Sequence, residues 1–145
     1  NKEETLIMSY AVKYSSNLYG PFRSAVSAAS ELGPDQKKTY QMDYGNINEA
    51  LKEASLDIKE GTDILLIKPG IMYLDVLREV KNTFKYPTFS YQVSGEYSML
   101  KNAILSGEYD EKEILMETFS CFKRAGADAI ISYFALDIAK ILNKG

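Results

Sequence analysis

The chain has 145 residues, 46 % of them hydrophobic and 26 % charged, with a formal net charge of −3, an ordinary globular composition. That balance offers no basic field for nucleic acid, and no apolar run approaches the roughly 18–20 residues that span a bilayer. There is no histidine and Cys121 is the only cysteine, which removes histidine bases, Ser-His-Asp triads, disulfides and thiolate zinc clusters from this segment.

The chain opens on "NKEETLIMSY", with neither an initiator Met nor a signal-peptide core, and reads as the interior of a longer protein. "LIMSYAV" (6–12) is the first predicted strand. The stretch 14–46, rich in Gly, Ser, Tyr and Lys, is only partly helical, and a long excursion after a strand is normally a functional loop. Residues 47–60 place Ile47, Ala50, Leu51, Ala54 and Ile58 on one helical face, with Gly61 at the expected stop. "DILLIK" (63–68) is a second strand, 73–84 a helix, "TFSYQV" (88–93) a third strand and 95–106 a helix. Asp110 and Glu113 form a capping-box pattern that opens helix 111–125, whose apolar face takes in Cys121 as a core residue. "DAIISYF" (128–134) is the fourth strand, and 135–143 the last helix. Continuous β-branched or aromatic runs alternating with amphipathic helices predict a parallel α/β sheet.

All four strands run into a polar side chain at the carboxyl end: Lys13, Lys68, Ser94 and Tyr133. Parallel α/β folds gather their ligands at that face. Taken singly, each has a plainer reading. A strand-end lysine is ordinarily solvated, Ser94 reads equally as an N-cap, Tyr133 as a core aromatic and Arg23 as a surface charge. Together they suggest two lysines converging, where burial and like charge both favour a neutral amine. A neutral amine attacks carbonyls to give an imine, an electron sink. With Arg23, Lys37, Lys38, Ser94 and Tyr133 nearby, the substrate expected from these residues is an anionic keto compound.

"MSYAVKYSSNLYGPFR", "KKTYQM", "LLIKPGIMYLDVLREV", "YQVSGEYSMLKNA" and "FKRAGADAIISYFALD", in that order, closely resemble the C-terminal half of the 5-aminolevulinate dehydratase (porphobilinogen synthase) family. The resemblance implies a (β/α)8 TIM barrel of which this chain supplies the second half, four βα units. It implies a lyase that condenses two 5-aminolevulinate molecules to porphobilinogen, with no nucleic-acid or membrane partner. By motif position, Lys68 resembles the lysine that forms the Schiff base with the first-bound (P-side) substrate, and Lys13 the second lysine, which engages the A-side substrate. Ser94 and Tyr133 match the hydroxyls on the P-side carboxylate, and Arg23 and Gln41 match A-side contacts. Where the family usually has a second arginine, this sequence has Lys37, which keeps the charge but loses the bidentate fork. Segment 14–46 becomes part of an active-site lid. Glu53 matches an allosteric magnesium ligand, or is simply an exposed helix carboxylate. The catalytic metal, magnesium or zinc, is expected in the half that is not present. A homo-octamer, in cytoplasm or a plastid-type organelle, goes with the same resemblance. The rival readings are another lysine-dependent, class I aldolase-type lyase, against which the second lysine argues, and an inactive assembly fragment with open sheet edges.

Overall fold

The computed structural model describes residues 5–25 and 41–143. The expected lid 14–46 is therefore seen only at its two ends, and Lys37 and Lys38 lie outside the described residues. Strands β1 (Met8–Lys13), β2 (Ile64–Lys68), β3 (Thr88–Tyr91) and β4 (Ala129–Ile131) form one parallel sheet in the order β1-β2-β3-β4. The helices are α1 (Gly20–Ala25), α2 (Ile47–Glu60), α3 (Leu74–Phe84), α4 (Ser94–Leu105), α5 (Glu111–Ala125) and α6 (Ala135–Leu142). Successive parallel strands that are always spatial neighbours are the winding of half a (β/α)8 barrel.

Local chemistry explains the elements. The side chain of Asn46 accepts the Glu49 N–H and that of Asp110 the Glu113 N–H, capping α2 and α5 where the sequence predicts their starts. Gly61 and Gly126 close the same helices at φ 95° and 112°, a left-handed stop that favours glycine. The expected strand 128–134 shortens to three residues, and the chain at 132–134 turns into α6 instead. Strand 88–93 ends at Tyr91, and Val93 serves as the capping position before α4. Cys121, expected in the core, is only half-buried. The buried stripe of α5 falls on Leu115, Phe119, Phe122 and Ala125 instead.

A repeated device locks the amino ends of the strands. After each glycine stop, one residue intervenes and an aspartate follows: Gly61-Thr62-Asp63 and Gly126-Ala127-Asp128. Asp63 accepts the Ile7 N–H at 2.7 Å and Asp128 the Thr88 N–H at 2.7 Å, so each acid latches its strand to the preceding one. Asp128 also pairs with Lys81 at 2.6 Å. Burial works against its charge, but Lys81, the Thr88 N–H and Lys123 together hold its carboxyl below the free value. Its contribution to stability is therefore present above that free value and fades as pH falls through the lowered one.

The core lies between sheet and helices, where Val12, Leu65, Ile67, Leu77, Val80 and Phe122 are fully buried. Leu65 and Ile67 face this layer, so their neighbours Leu66 and Lys68 point to the other side of the sheet, the barrel interior. At the two ends of the sheet apolar groups remain uncovered: Leu6 and Ile7 just before β1, Tyr10 on it, and Leu136 and Leu142 on α6.

Candidate active site

The pairing of β1 with β2 contains one irregularity that decides where Lys13 points. Ser9 pairs with Leu65, but Val12 pairs with Ile67 and Lys13 with Lys68. Over that interval β1 advances three residues while β2 advances two, a β-bulge. Because side chains alternate, an unbulged β1 would set Val12 beside Lys68 and turn Lys13 toward the helices. The bulge brings the two lysines side by side on the interior face. The chain past β1 then stays close: Tyr14 N–H donates to Lys68 O at 3.0 Å, Met42 N–H to Lys13 O at 3.2 Å, and Ser15 N–H to Met42 O at 2.8 Å. These bonds return Gln41 to the end of β1, with its Oε1 buried and unpartnered among the described residues.

Lys68 is half-buried and ringed by tyrosines. Its Nζ lies 4.2 Å from the ring centre of Tyr91, 5.3 Å from Tyr10 and 5.4 Å from Tyr19, and Lys13 Nζ addresses the same Tyr10 ring at 5.7 Å. The ring faces replace part of the lost hydration of the ammonium. Burial first and the Lys13 charge second still push the Lys68 pKa below 10.5, which makes the neutral amine easier to reach than in a free lysine. Tyr19 donates to the carbonyls of Tyr14 at 3.0 Å and Lys68 at 3.3 Å, tying the ends of β1 and β2 together. Burial, then the neighbouring Tyr133 to which it is hydrogen-bonded, hold the Tyr91 phenol above its usual pKa of 10.0.

Ser94 does not cap α4 from outside. It is the helix's first residue, and its Oγ accepts the Phe22 N–H of α1 at 3.1 Å, leaving its own proton to donate. Tyr133 is half-exposed, with its ring 5.5 Å from that of Tyr97, so the core reading does not hold. Lys68, Ser94 and Tyr133, with Tyr19, Phe22 and Tyr91, line one cavity of about 40 Å³. Arg23 is placed by its backbone in α1. Glu53 is on α2, in the helical layer away from this cavity. The sequence reading missed Tyr10, Tyr19, Phe22 and Tyr91. Tyr91 was within reach: Ser90 pairs with Ile67, so the next residue on β3 stands beside Lys68.

A family model described as Delta-aminolevulinic acid dehydratase matches residues 1–141. The chain belongs to this family. It is 54 % identical over 136 residues to the delta-aminolevulinic acid dehydratase of Bacillus subtilis (strain 168), covering 94 % of this chain and 41 % of that protein. Over 140 residues it is 54 % identical to that of Methanothermobacter thermautotrophicus, covering 97 % and 42 %. The crystal structure of the Toxoplasma gondii ME49 enzyme with its reaction product porphobilinogen superposes at a TM-score of 0.90 with 48 % identity, covering 94 % of this chain and 39 % of that one. The chain thus spans about two fifths of the length of the dehydratases it matches. Among the described residues no three His, Cys, Asp or Glu side chains gather as a metal cage.

One contact in this dehydratase half-barrel leaves room only for glycine. A Cβ on Gly95 would lie 2.5 Å from Leu18 O and 2.7 Å from Leu18 Cα, both backbone atoms with nowhere to yield. Gly95→Ala is expected to push the 16–22 segment off α4, break the Phe22–Ser94 bond and destabilise the fold by about 1–3 kcal/mol. Urea unfolding, with proteolysis of that segment as a local readout, measures it.

Proposed function

We propose that this chain is the portion of a delta-aminolevulinic acid dehydratase that carries both imine-forming lysines. The observation that supports the reading best is the bulge-set register of Lys13 against Lys68 at the carboxyl ends of β1 and β2, with Ser94 and Tyr133 at the cavity that Lys68 lines.

The chemistry follows from those groups. The neutral Lys68 amine adds to the ketone of one 5-aminolevulinate. A C–N bond forms, the carbonyl oxygen takes up protons and leaves as water, and an iminium remains. The Ser94 and Tyr133 hydroxyls donate to the carboxylate of this substrate. Lys13 forms the corresponding imine with the second molecule, whose carboxylate is met by Arg23, Lys37 and Gln41. The iminium carbons withdraw electrons, acidify the neighbouring C–H bonds and permit one C–C and one C–N bond to form between the two molecules. Both lysines are released as the pyrrole closes, and the balance is two 5-aminolevulinates to one porphobilinogen and two waters. The tyrosine faces around Lys68 stabilise the cationic iminium.

The rest of the reading goes with the family. A divalent ion, magnesium or zinc, held by residues outside this segment would supply Lewis acidity, and Glu53 would offer one carboxylate to an allosteric magnesium. Segment 14–46 serves as a lid, and the whole protein assembles as a homo-octamer. Borohydride reduction of the full-length protein with 5-aminolevulinate, followed by peptide mass spectrometry, tests the assignment. A reduced adduct on the Lys68 peptide is expected; its absence from folded, metal-loaded protein overturns it.

The uncovered apolar residues at the two sheet edges favour a second reading for the 145-residue chain by itself, that of an inactive half that seeks partners. Isolated, it is expected to elute in size exclusion as an associated species above its 16.3 kDa, without activity. A well-behaved monomer would contradict this.

A further inference from the structure

Glu96 is a carboxylate with 0 % exposure and no place in the mechanism above. Its partners among the described residues are backbone N–H groups. Oε1 accepts from Ile71 at 2.6 Å, Gly70 at 3.2 Å and Met72 at 3.4 Å, while Oε2 accepts from Gly70 at 3.1 Å and Val93 at 2.9 Å. These N–H groups belong to two helix starts. Gly70 to Met72 lead through the 3₁₀ turn Ile71–Tyr73 into α3, and Gly70, at the capping position, has no side chain to satisfy them. Val93 holds the same position before α4 and likewise makes no side-chain cap. A single acid from α4 thus closes both junctions. Lys68 stands two residues before the first, and Ser94 directly follows the second.

The chemistry calls for a carboxylate. Every neighbour is a donor, and an ionised carboxylate is acceptor-only, with lone pairs for all of them. A glutamine would turn an NH₂ group against N–H groups. Burial raises the Glu96 pKa, and the N–H groups of Val93, Gly70, Ile71 and Met72 oppose that rise.

We propose that Glu96 is a positioning residue of this site: by gripping the backbone after Lys68 while capping α4, its carboxylate sets the Lys68 amine against Ser94. The assignment rests on the imine role of Lys68 and adds to it a residue that touches no substrate. The turn that carries Lys68 is held from a different βα unit.

The test uses the full-length protein with Glu96→Gln, and with Glu96→Asp, which keeps the charge but retracts it by one methylene and serves if the glutamine variant does not fold. Asp128→Asn, which loosens the opposite end of the sheet, controls for stability lost elsewhere. Two quantities are read below each variant's melting temperature. One is the rate of borohydride-trapped 5-aminolevulinate adduct at Lys68 per folded molecule. The other is the pH midpoint of Lys68 acetylation by acetic anhydride, with Lys112 and Lys140 as exposed references. In the Glu96 variants the adduct rate is expected to fall roughly ten- to hundred-fold, the scale of an ångström of misplacement. The acetylation midpoint moves up toward the 10.5 of a free lysine as the displaced amine regains water. Asp128→Asn melts lower and changes neither. An adduct rate that merely follows the folded fraction overturns the positioning role, as does a midpoint that stays or falls, since loss of a nearby negative charge alone would lower it. If the unaltered protein forms no Lys68 adduct, the imine reading fails and takes this role with it. A normal adduct there, unchanged in the Glu96 variants, sinks the positioning role alone.

Discussion

Lys68→Met in the full-length protein is expected to abolish the trapped adduct and lower turnover on the order of 10⁴-fold or more, since a tethered amine acts at an effective concentration no dissolved amine reaches. The same substitution is expected to leave the melting temperature at pH 7 unchanged or higher. Lys68 is a half-buried cation beside Lys13, and its pKa lies below 10.5 for both reasons. In its charged form it weakens the fold at neutral pH, and that cost is relieved as pH rises from the lowered pKa toward 10.5. Methionine is of similar length, fills the space among Tyr10, Tyr19 and Tyr91, and carries no charge, so stability in the variant loses this dependence on pH. Activity lost while stability is kept separates a nucleophile from a structural residue. Normal turnover in Lys68→Met would remove the mechanism. Lys13→Met is a milder probe of the same electrostatics. It takes away the like charge but not the burial, so the Lys68 titration moves part of the way toward 10.5.

Phe122→Ala is expected to destabilise the fold by about 3–5 kcal/mol, the usual range for an aromatic removed from a core. Phe122 is on α5 with 0 % exposure, in the cluster formed with α3 and the sheet. Its ring also reaches the turn after Lys68, because a Cβ built on Gly70 would meet Phe122 Cε1 at 2.7 Å. The cavity left by alanine would therefore open directly beneath Lys68-Pro69-Gly70. Urea unfolding at fixed protein concentration measures the loss. A change under about 1 kcal/mol would mean that the ring's place is refilled by collapse around it. Activity is expected to fall further than the folded fraction does, since the support under the turn is gone.

Hydrophobic rhythm and local chemistry were enough to read the strands and helices. A β-branched or aromatic run has few states other than a buried strand, and an Asp or Asn before an amphipathic stretch with Gly after it marks both ends of a helix. That is why α2 and α5 were legible to the residue. Ends governed by tertiary pairing were not. The strand expected over 128–134 stops at Ile131, and the reading of Cys121 as core failed because a helix's apolar face is broader than the stripe its neighbours cover. Lys68, Lys13, Ser94 and Tyr133 were visible as polar groups at strand ends, since the sheet is parallel and all its carboxyl ends lie on one side. Arg23 and Gln41 entered only through the motifs "YGPFR" and "TYQM".

Identity, fold class and the four strand-end residues are properties of the amino-acid order alone, because each depends on composition, periodicity or a long local motif. The tertiary structure decided what depends on registration between distant segments. One extra residue in β1 turns Lys13 toward Lys68, an offset that appears only when a partner strand supplies the count. Three tyrosines from β1, β3 and the segment after β1 surround one ammonium, though 81 positions separate Tyr10 from Tyr91. Glu96 reads in sequence as an unremarkable acid in the first turn of a helix. Its second role arises because folding sets the open N–H groups of another helix start against its carboxylate, where burial makes an unmet donor costly and one acid can satisfy both junctions.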